Sequence, residues 1–599
     1  MTIEQPTTNN THRSGKPSVT QRWLPGLGWA LLMLPILVFG LIWQQYAVNI
    51  PKWDDHALRH FLFNVDQEPT VTGKFYQLFK QHNEHRIVFD RLASLLDYQL
   101  FGQLNYVHLM LVGNLSLVGL LWIFVAALRR SRPAVSGQSA LYAVPIGWLL
   151  FNLSQWENMF WGMAALQNFS VVLWVIAAFY FLSYTTHWRL AFVAGVLATI
   201  TSGNGLMVWP LGFLILLLRL PAFSGKDNRT SLGPIIGWLA GAAFVVALYF
   251  TGFEKPDGVK YVRPGILELS KGWFAVIGAA AEALPFNSPL RTSIVLGGLL
   301  TLVIVGIVGW GLLTNRLVLV NLFRRLLSPK TATGKPATGL SSMTVFFWSC
   351  AAFILGTSAV VAWARTGAGI DLLITSRYKM YSLTGLALVY LYGAALLPKP
   401  AARWWLIGGI ASSVFFAALS YFAFLNETIW WRHWLTTNQF NWTHSSSNAT
   451  FSLDSVSRRY TPPTPAFYDE ALPVIYGPVQ QTPVAVGITK IPGGYTIKNT
   501  TVPTQGLGDA GAYLMARSAK RTYLFPVWQQ QQSMVKAHFS PDHLFTNGFE
   551  STILSAETDA GTYQLFVLIV SNANTYELRP TNQTIVSSGP PTTVEAKNW

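Results

Sequence analysis

TSIVLGGLLTLVIVGIVGWGLL, Thr292–Leu313, contains no charged residue and is long enough to cross the hydrocarbon core of a bilayer as one helix. GWALLMLPILVFGLIW, Gly28–Trp43, repeats the pattern near the start of the chain. In a bilayer every backbone polar group must be satisfied internally, so such runs become helices. Working outward, eleven spans are expected: Leu24–Tyr46, Asn105–Leu128, Ala140–Leu153, Gln167–Tyr184, Leu190–Ile200, Leu206–Leu220, Ile235–Thr251, Thr292–Leu313, Met343–Trp363, Met380–Leu397 and Trp404–Leu425. The third and fifth are short, so their helices should extend into flanking polar residues. The composition agrees: 51% of the 599 residues are hydrophobic and 11% charged, against about 25% charged in soluble domains. The expected fold class is a mainly α polytopic membrane protein.

The net charge is +16. Its basic residues collect in alternate short loops, including Arg129, Arg130 and Arg132; Arg189; Arg219, Lys226 and Arg229; Arg316, Arg324, Arg325, Lys330 and Lys335; and Lys399 and Arg403. The N-terminal tail adds Arg13, Lys16 and Arg22. This is the asymmetry of cytoplasmic loops, and no motif supports nucleic acid as a partner. The N-terminus is therefore expected inside, with residues 1–22 a disordered cytoplasmic tail, and the C-terminus outside. Two long segments, 48–104 and 252–291, fall on the outer side.

From Asn426 the chain turns rich in Thr, Pro, Gly, Asn and Gln. GTYQLFVLIVSNANTYELRP, Gly561–Pro580, reads as two strands joined by a turn, and TPVAVGITKIPGGYTIKNTTV and KRTYLFPVW are similar. An external β-sandwich or barrel is expected over 426–599, beyond a membrane domain at 23–425. TIWWRHWL, Thr428–Leu435, should lie at the membrane surface. Asn-x-Ser/Thr sequons occur at Asn426, Asn441, Asn448, Asn499 and Asn582, but the single cysteine, Cys350, fits a bacterial periplasm better than an oxidising lumen.

Ionisable residues are scarce, and many fall on the expected outer side. WDDH, Trp53–His56, follows the first span; its paired carboxylates suit either a solvated helix start or a base for a hydroxyl with a partner that orients it. In QHNEHRIVFD, Gln81–Asp90, a helix would place His82, Arg86, Asp90 and Asp97 on one face and Val88, Leu92, Leu95 and Leu96 on another. That helix would lie flat on the membrane surface, either as a solvated face or as the wall of a site. SQWENMFWGMAALQN, Ser154–Asn168, isolates Glu157 between two spans, with Trp156 and Asn158 beside it. TSGNGLMVWP, Thr201–Pro210, breaks a helix at Asn204. WARTGAGIDLLITSRYKMY, Trp363–Tyr381, sets Arg365 and Arg377 where positive charge is not favoured unless it meets anions.

These motifs, in this order, resemble those of GT-C superfamily membrane glycosyltransferases, more narrowly a bacterial group with HNEHR, QWEN…WG, NGL…WP and AR.G.G…SRY. The resemblance covers roughly Trp23 to Leu425. It implies a polyprenyl-phosphate-linked sugar as donor, with an acid after the first span acting as base or as part of a metal site; Asp54 and Asp55 occupy that place. A divalent metal is allowed by the resemblance and its identity is left open. From charge, His82, His85, Arg86, Arg365 and Arg377 are expected at the donor phosphate. Glu84, Trp156, Glu157, Asn158, Asn204 and Tyr378 are expected around the sugar or acceptor. The expected partners are the lipid-linked sugar, the bilayer and an external glycan or protein, such as pilin, in a bacterial inner membrane. A transporter or flippase of a lipid-linked sugar, or a non-catalytic envelope assembly protein, are the alternative readings.

Overall fold

The computed structural model describes residues 19–219, 232–254, 264–320, 340–444, 459–479, 482–502, 506–532, 544–571 and 575–590. Most of the expected N-terminal tail, the charges at Lys226, Arg229, Arg324, Arg325, Lys330 and Lys335, and the sequon at Asn448 lie outside them. Each of the eleven apolar stretches is helical over its described residues, and among the described residues seven helices are long and apolar enough to cross a membrane: Pro25–Tyr46, Tyr106–Ser131, Gly162–Tyr184, Gly233–Phe250, Pro289–Thr314, Ser342–Ala368 and Lys399–Ala423. The chain is a multi-pass membrane protein. Ser139–Leu150, Trp188–Thr201 and Gly203–Leu218 are shorter apolar helices. Their 12 to 16 residues rise roughly 18–24 Å, shorter than a bilayer core of about 30 Å, so among the described residues seven of the eleven expected spans have the length and composition of a full crossing. Lys379–Leu396 is an 18-residue helix that opens on a buried lysine.

At one end of the bundle Arg130 donates to the Tyr184 carbonyl, Arg132 to that of Ala394, and Arg219 to the Ser342 hydroxyl. The motif residues gather at the other end. There, four helices follow one another: α1, Val19–Tyr46; α2, Asp55–Gln67; α3, Val71–Phe79; and α4, Val88–Phe101. Helix α2 buries Ala57, Leu58, Phe61 and Leu62, the spacing of one helical face. Thr70 caps α3 by accepting the Gly73 N–H at 3.0 Å, and Gly102, at φ +73°, closes α4.

The helix expected to carry His82 and Arg86 begins only at Val88. His82 and His85 exchange backbone hydrogen bonds of 2.8 and 2.9 Å across a tight turn, with Asn83 in the left-handed region at φ +49°. This turn takes the two histidines and Arg86 off the α4 face. Within α4 the charged face points inward: Asp90 and Asp97 are buried, whereas Leu92 and Leu96 are exposed. Asp97 accepts the Asn105 N–H and pairs with His108, each at 2.7 Å.

The C-terminal domain holds eight strands: β1, Gly487–Ile491; β2, Gly494–Asn499; β3, Gly511–Arg517; β4, Thr522–Pro526; β5, Trp528–Gln531; β6, Phe545–Leu554; β7, Gly561–Val570; and β8, Tyr576–Ser587. They form two antiparallel sheets, β1-β2-β6-β5 and β4-β3-β7-β8. The sheets face each other across Ile497, Leu514, Phe525, Phe549, Leu565 and Val567 without closing into a barrel. The second sheet is covered on its far side too, by Phe440 of the Leu425–His444 helix and by Phe467, Tyr468 and Ile475. Asn426, Asn441 and Asn499 are buried and donate to the carbonyls of Gln529, Leu524 and Ala485, so these sequons offer no free amide to a glycan.

The TIWWRHWL segment lies within the Leu425–His444 helix and joins the two parts of the protein. Arg432 grips Asp509 with two 2.7 Å bonds and also donates to the Gln45 carbonyl. His433 bonds the Gly508 carbonyl at 2.8 Å, and the Gly508 N–H donates to the Tyr46 hydroxyl. Bidentate Arg–carboxylate pairs of this kind are the strong ones. A double-mutant cycle of Arg432→Ala and Asp509→Ala, read by thermal unfolding, should give a coupling of about 1–2 kcal/mol; additive losses would show that the pair does not fasten the domain.

Candidate functional site

The two carboxylates of WDDH have separate fates. Asp55 is fully buried at the start of α2. Its Oδ2 accepts the Lys52 N–H at 3.1 Å and its Oδ1 the Met163 N–H at 2.9 Å, while its carbonyl takes the Tyr106 hydroxyl at 2.9 Å. Asp55 thus ties the first interhelical segment to the turn at Trp161–Met163. Burial outweighs these N–H donors and pushes its carboxyl up to about 7. Asp54 is 37% exposed, makes no cap bond, and has His82 Nε2 3.9 Å away. Between the Asp55 tie and α1 sits Trp53, at φ +43°, a backbone position a bulky residue occupies only when its surroundings hold it there.

Around Asp54 lie His82, His85, Glu84 and Arg365. Glu84 and Arg365, both exposed, pair at 3.5 Å. Burial lowers the pKa of His82 and His85, and the negative charge of Asp54 opposes this. The Nδ1 of His85 is buried without a hydrogen-bond partner and lies 2.9 Å from where a Cβ on Gly203 would stand; a side chain at 203 would displace it. Asn204 donates to the Tyr381 hydroxyl at 2.9 Å. Arg86 is spent otherwise. Its guanidinium donates to the carbonyls of Phe79, Tyr249 and Thr251, where the ends of α3 and the Gly233–Phe250 helix carry negative partial charge. It clamps this segment to the bundle.

QWEN and SRY are stitched together. The Glu157 N–H donates to the Ser376 hydroxyl at 3.1 Å, Ser376 to the Ser154 carbonyl at 2.8 Å, and the Asn158 amide to the Arg377 carbonyl at 3.1 Å. Arg377 Nε lies 3.7 Å from Glu157 and its guanidinium 5.6 Å from the Trp161 ring. Burial raises the Glu157 pKa, with Arg377 opposing. Tyr378 is half-buried beside them. Behind lies a group absent from the expected set: buried Lys379 pairs with Glu282, and Glu427 stands nearby. Burial pushes Glu427 up to about 7.

Tryptophans join the two halves. The Trp53 ring lies 5.2 Å from Trp161, 5.6 Å from Trp431 and 5.7 Å from Trp434, and Trp156 lies 5.2 Å from Trp431. Lys52 lies over the rings of Trp53 and Trp434. Burial brings its ammonium down to about 6, with Glu557 of the C-terminal domain opposing. The Trp53–Trp161 contact therefore sets Asp54 and the Glu157–Arg377 pair around one aromatic wall, with Trp53 45% exposed. Among the described residues no group of three or more His, Cys, Asp or Glu is arranged to hold a metal ion; Asp54 and His82 supply two donors and the protein set is incomplete. No family model, curated protein or solved structure matches the chain.

The folded chain holds a proton on Asp55 more tightly than the unfolded chain, whose carboxyl titrates near 4. The stabilisation from this proton is full below about pH 4 and is lost as pH rises to about 7. Measured in detergent, wild-type Tm should fall between pH 5 and 7.5 relative to Asp55→Asn, whose profile is flatter over that window although its Tm is several degrees lower. Parallel profiles would show that Asp55 is ionised throughout.

Proposed function

We propose that this chain is an integral membrane glycosyltransferase of GT-C-like architecture. It moves a sugar from a polyprenyl-phosphate donor to an external acceptor in the bacterial cell envelope, with inversion. The observation that carries the reading is the asymmetry of the acidic pair. Asp54 is a half-exposed carboxylate beside a strained, exposed Trp53, whereas the neighbouring Asp55 is consumed in holding them. Arg365 and Arg377, 45% and 39% exposed, make only long ion pairs of 3.5 and 3.7 Å, so both have donors to offer an anion.

In this mechanism an acceptor hydroxyl approaches the Trp53 wall and Asp54 takes its proton. The freed oxygen attacks the anomeric carbon on the face opposite the phosphate. The new C–O bond forms as the bond to phosphate breaks, and the polyprenyl phosphate leaves with the bonding electron pair. Arg365 and Arg377 balance its charge. Arg86 keeps the segment in place. Glu157 and Asn158 orient Arg377 rather than meeting the phosphate themselves. The clustering of Arg130, Arg132 and Arg219 at the opposite end supports a cytoplasmic assignment for that end and a periplasmic one for the site and the C-terminal domain.

Mass spectrometry of envelope glycans with and without the protein identifies the sugar, and a labelled polyprenyl-phosphate form of it then serves as donor in nanodiscs. Asp54→Ala and Asp54→Asn should lower transfer by about 10²–10⁴-fold with Tm unchanged. Transfer above a tenth of wild type in both would remove Asp54 as the base. Arg377→Ala should raise the KM for donor more than it lowers kcat.

A further inference from the structure

The free face of the sheet β1-β2-β6-β5 carries an unusual row. Trp528 of β5 lies opposite Glu550 of β6, which lies opposite Lys498 of β2. All three point outward: Trp528 is 40% exposed, and the Glu550 and Lys498 side chains, paired at 2.7 Å, are 47% and 60% exposed. Thr552, two residues on from Glu550, shares the face and is exposed. Leaving an indole in water forgoes the gain of burying a large apolar surface, and in β5 the next residue, Gln529, takes the inward place.

This row is continuous with the candidate site. The Trp528 ring lies 6.2 Å from Trp430, which stacks on Trp434 at 5.6 Å and 11°; Trp434 lies 5.7 Å from Trp53, the neighbour of Asp54. The two outer rings, Trp528 and Trp53, are open, and the pair between them is interlocked and half-buried. One ligand chemistry matches such a line. A linear oligosaccharide presents apolar C–H faces, which stack on indoles, and a hydroxyl rim, which donates to a Glu carboxylate, accepts from a Lys ammonium and does either with a Thr hydroxyl.

We propose that Trp528, Glu550, Lys498 and Thr552 form a glycan-binding strip on the C-terminal domain, which feeds the end of a linear saccharide chain over Trp430 and Trp434 to Trp53 and Asp54. The proposal rests on the transferase reading in making this chain the acceptor, and it turns a two-class acceptor, glycan or protein, into a glycan. The strip itself stands on its geometry alone.

The test uses the full-length protein in nanodiscs, without any lipid-linked donor. The probes are linear di- and hexasaccharides of glucose, mannose, arabinose and N-acetylglucosamine, followed by tryptophan fluorescence and calorimetry. At least one hexasaccharide should bind, with its disaccharide at least tenfold weaker. Trp528→Ala should weaken binding at least tenfold, as should Thr552→Arg, which sets bulk on an exposed position without removing any buried contact. The proposal is overturned if no hexasaccharide binds, or if both strip variants bind as wild type, in which case Trp528 is an anchor at the membrane boundary. A protein that binds a hexasaccharide yet transfers no sugar keeps the strip and removes the transferase. One that transfers sugar to short acceptors and binds no hexasaccharide keeps the transferase and removes the strip.

Discussion

Charged side chains held away from water must find partners, and at this end of the bundle they find the backbone. Asp55 takes two N–H groups, and Arg86 gives its donors to three carbonyls. Both give buried polar atoms hydrogen-bond partners while pinning elements that share no secondary structure. The Asp55 tie adds directed hydrogen bonds to the apolar packing of α2 against Met163 and to the Trp53–Trp161 contact. The left-handed Trp53 and the open Asp54 lie within two residues of that tie and inherit its position. The chemistry at Asp54 therefore depends on a neighbour that does none.

The same economy runs through the rest of the site. Ser376 and Asn158 join QWEN to SRY by bonds involving main-chain groups, which leaves the Arg377 guanidinium to face Glu157 and Trp161. Buried Lys379 lies behind with half-buried Glu282 and Glu427. Ion pairs in such surroundings add little net stability but are costly to break, so their value here is in holding the starts of the Lys379–Leu396 and Leu425–His444 helices in register. Asp54, Glu84, Arg365 and Arg377, the more exposed groups, make long contacts of 3.5 to 3.9 Å, whereas the Asp55 carboxylate makes hydrogen bonds of 2.9 and 3.1 Å. Rigidity sits beneath the site and freedom at its surface.

The apolar runs were legible because a bilayer imposes one dominant requirement, and the β-strands because alternation is visible locally. The three short helices are legible as apolar runs, but their lengths are not, since flanking polar residues do not reveal where a helix stops. The helical reading of His82 and Arg86 failed for a local reason: the His82–His85 backbone exchange and the positive φ of Asn83 terminate the pattern before Val88. Convergence of WDDH, HNEHR and QWEN on one end could be inferred from the alternation of basic loops. The difference between Asp54 and Asp55 could not, because it is set by Met163, over a hundred residues away. Lys379 and Glu427 were passed over for a similar reason: each is ordinary in its own segment and becomes notable only beside Glu282. The membrane-surface reading of TIWWRHWL does not reveal that Trp431 and Trp434 meet Trp53 and that Trp430 meets Trp528 of the second domain.

The latch between Arg432, Asp509 and Gln45 has a consequence for biogenesis. Helix α1 ends at Tyr46, and the groups that fasten its end, Gly508 and Asp509, are synthesised more than four hundred residues later. Until they emerge, that helix end rests on Phe160 and its neighbours without its clasp. A chain cut short before the second domain leaves the end of α1 unclasped, a structural mark of a fragment.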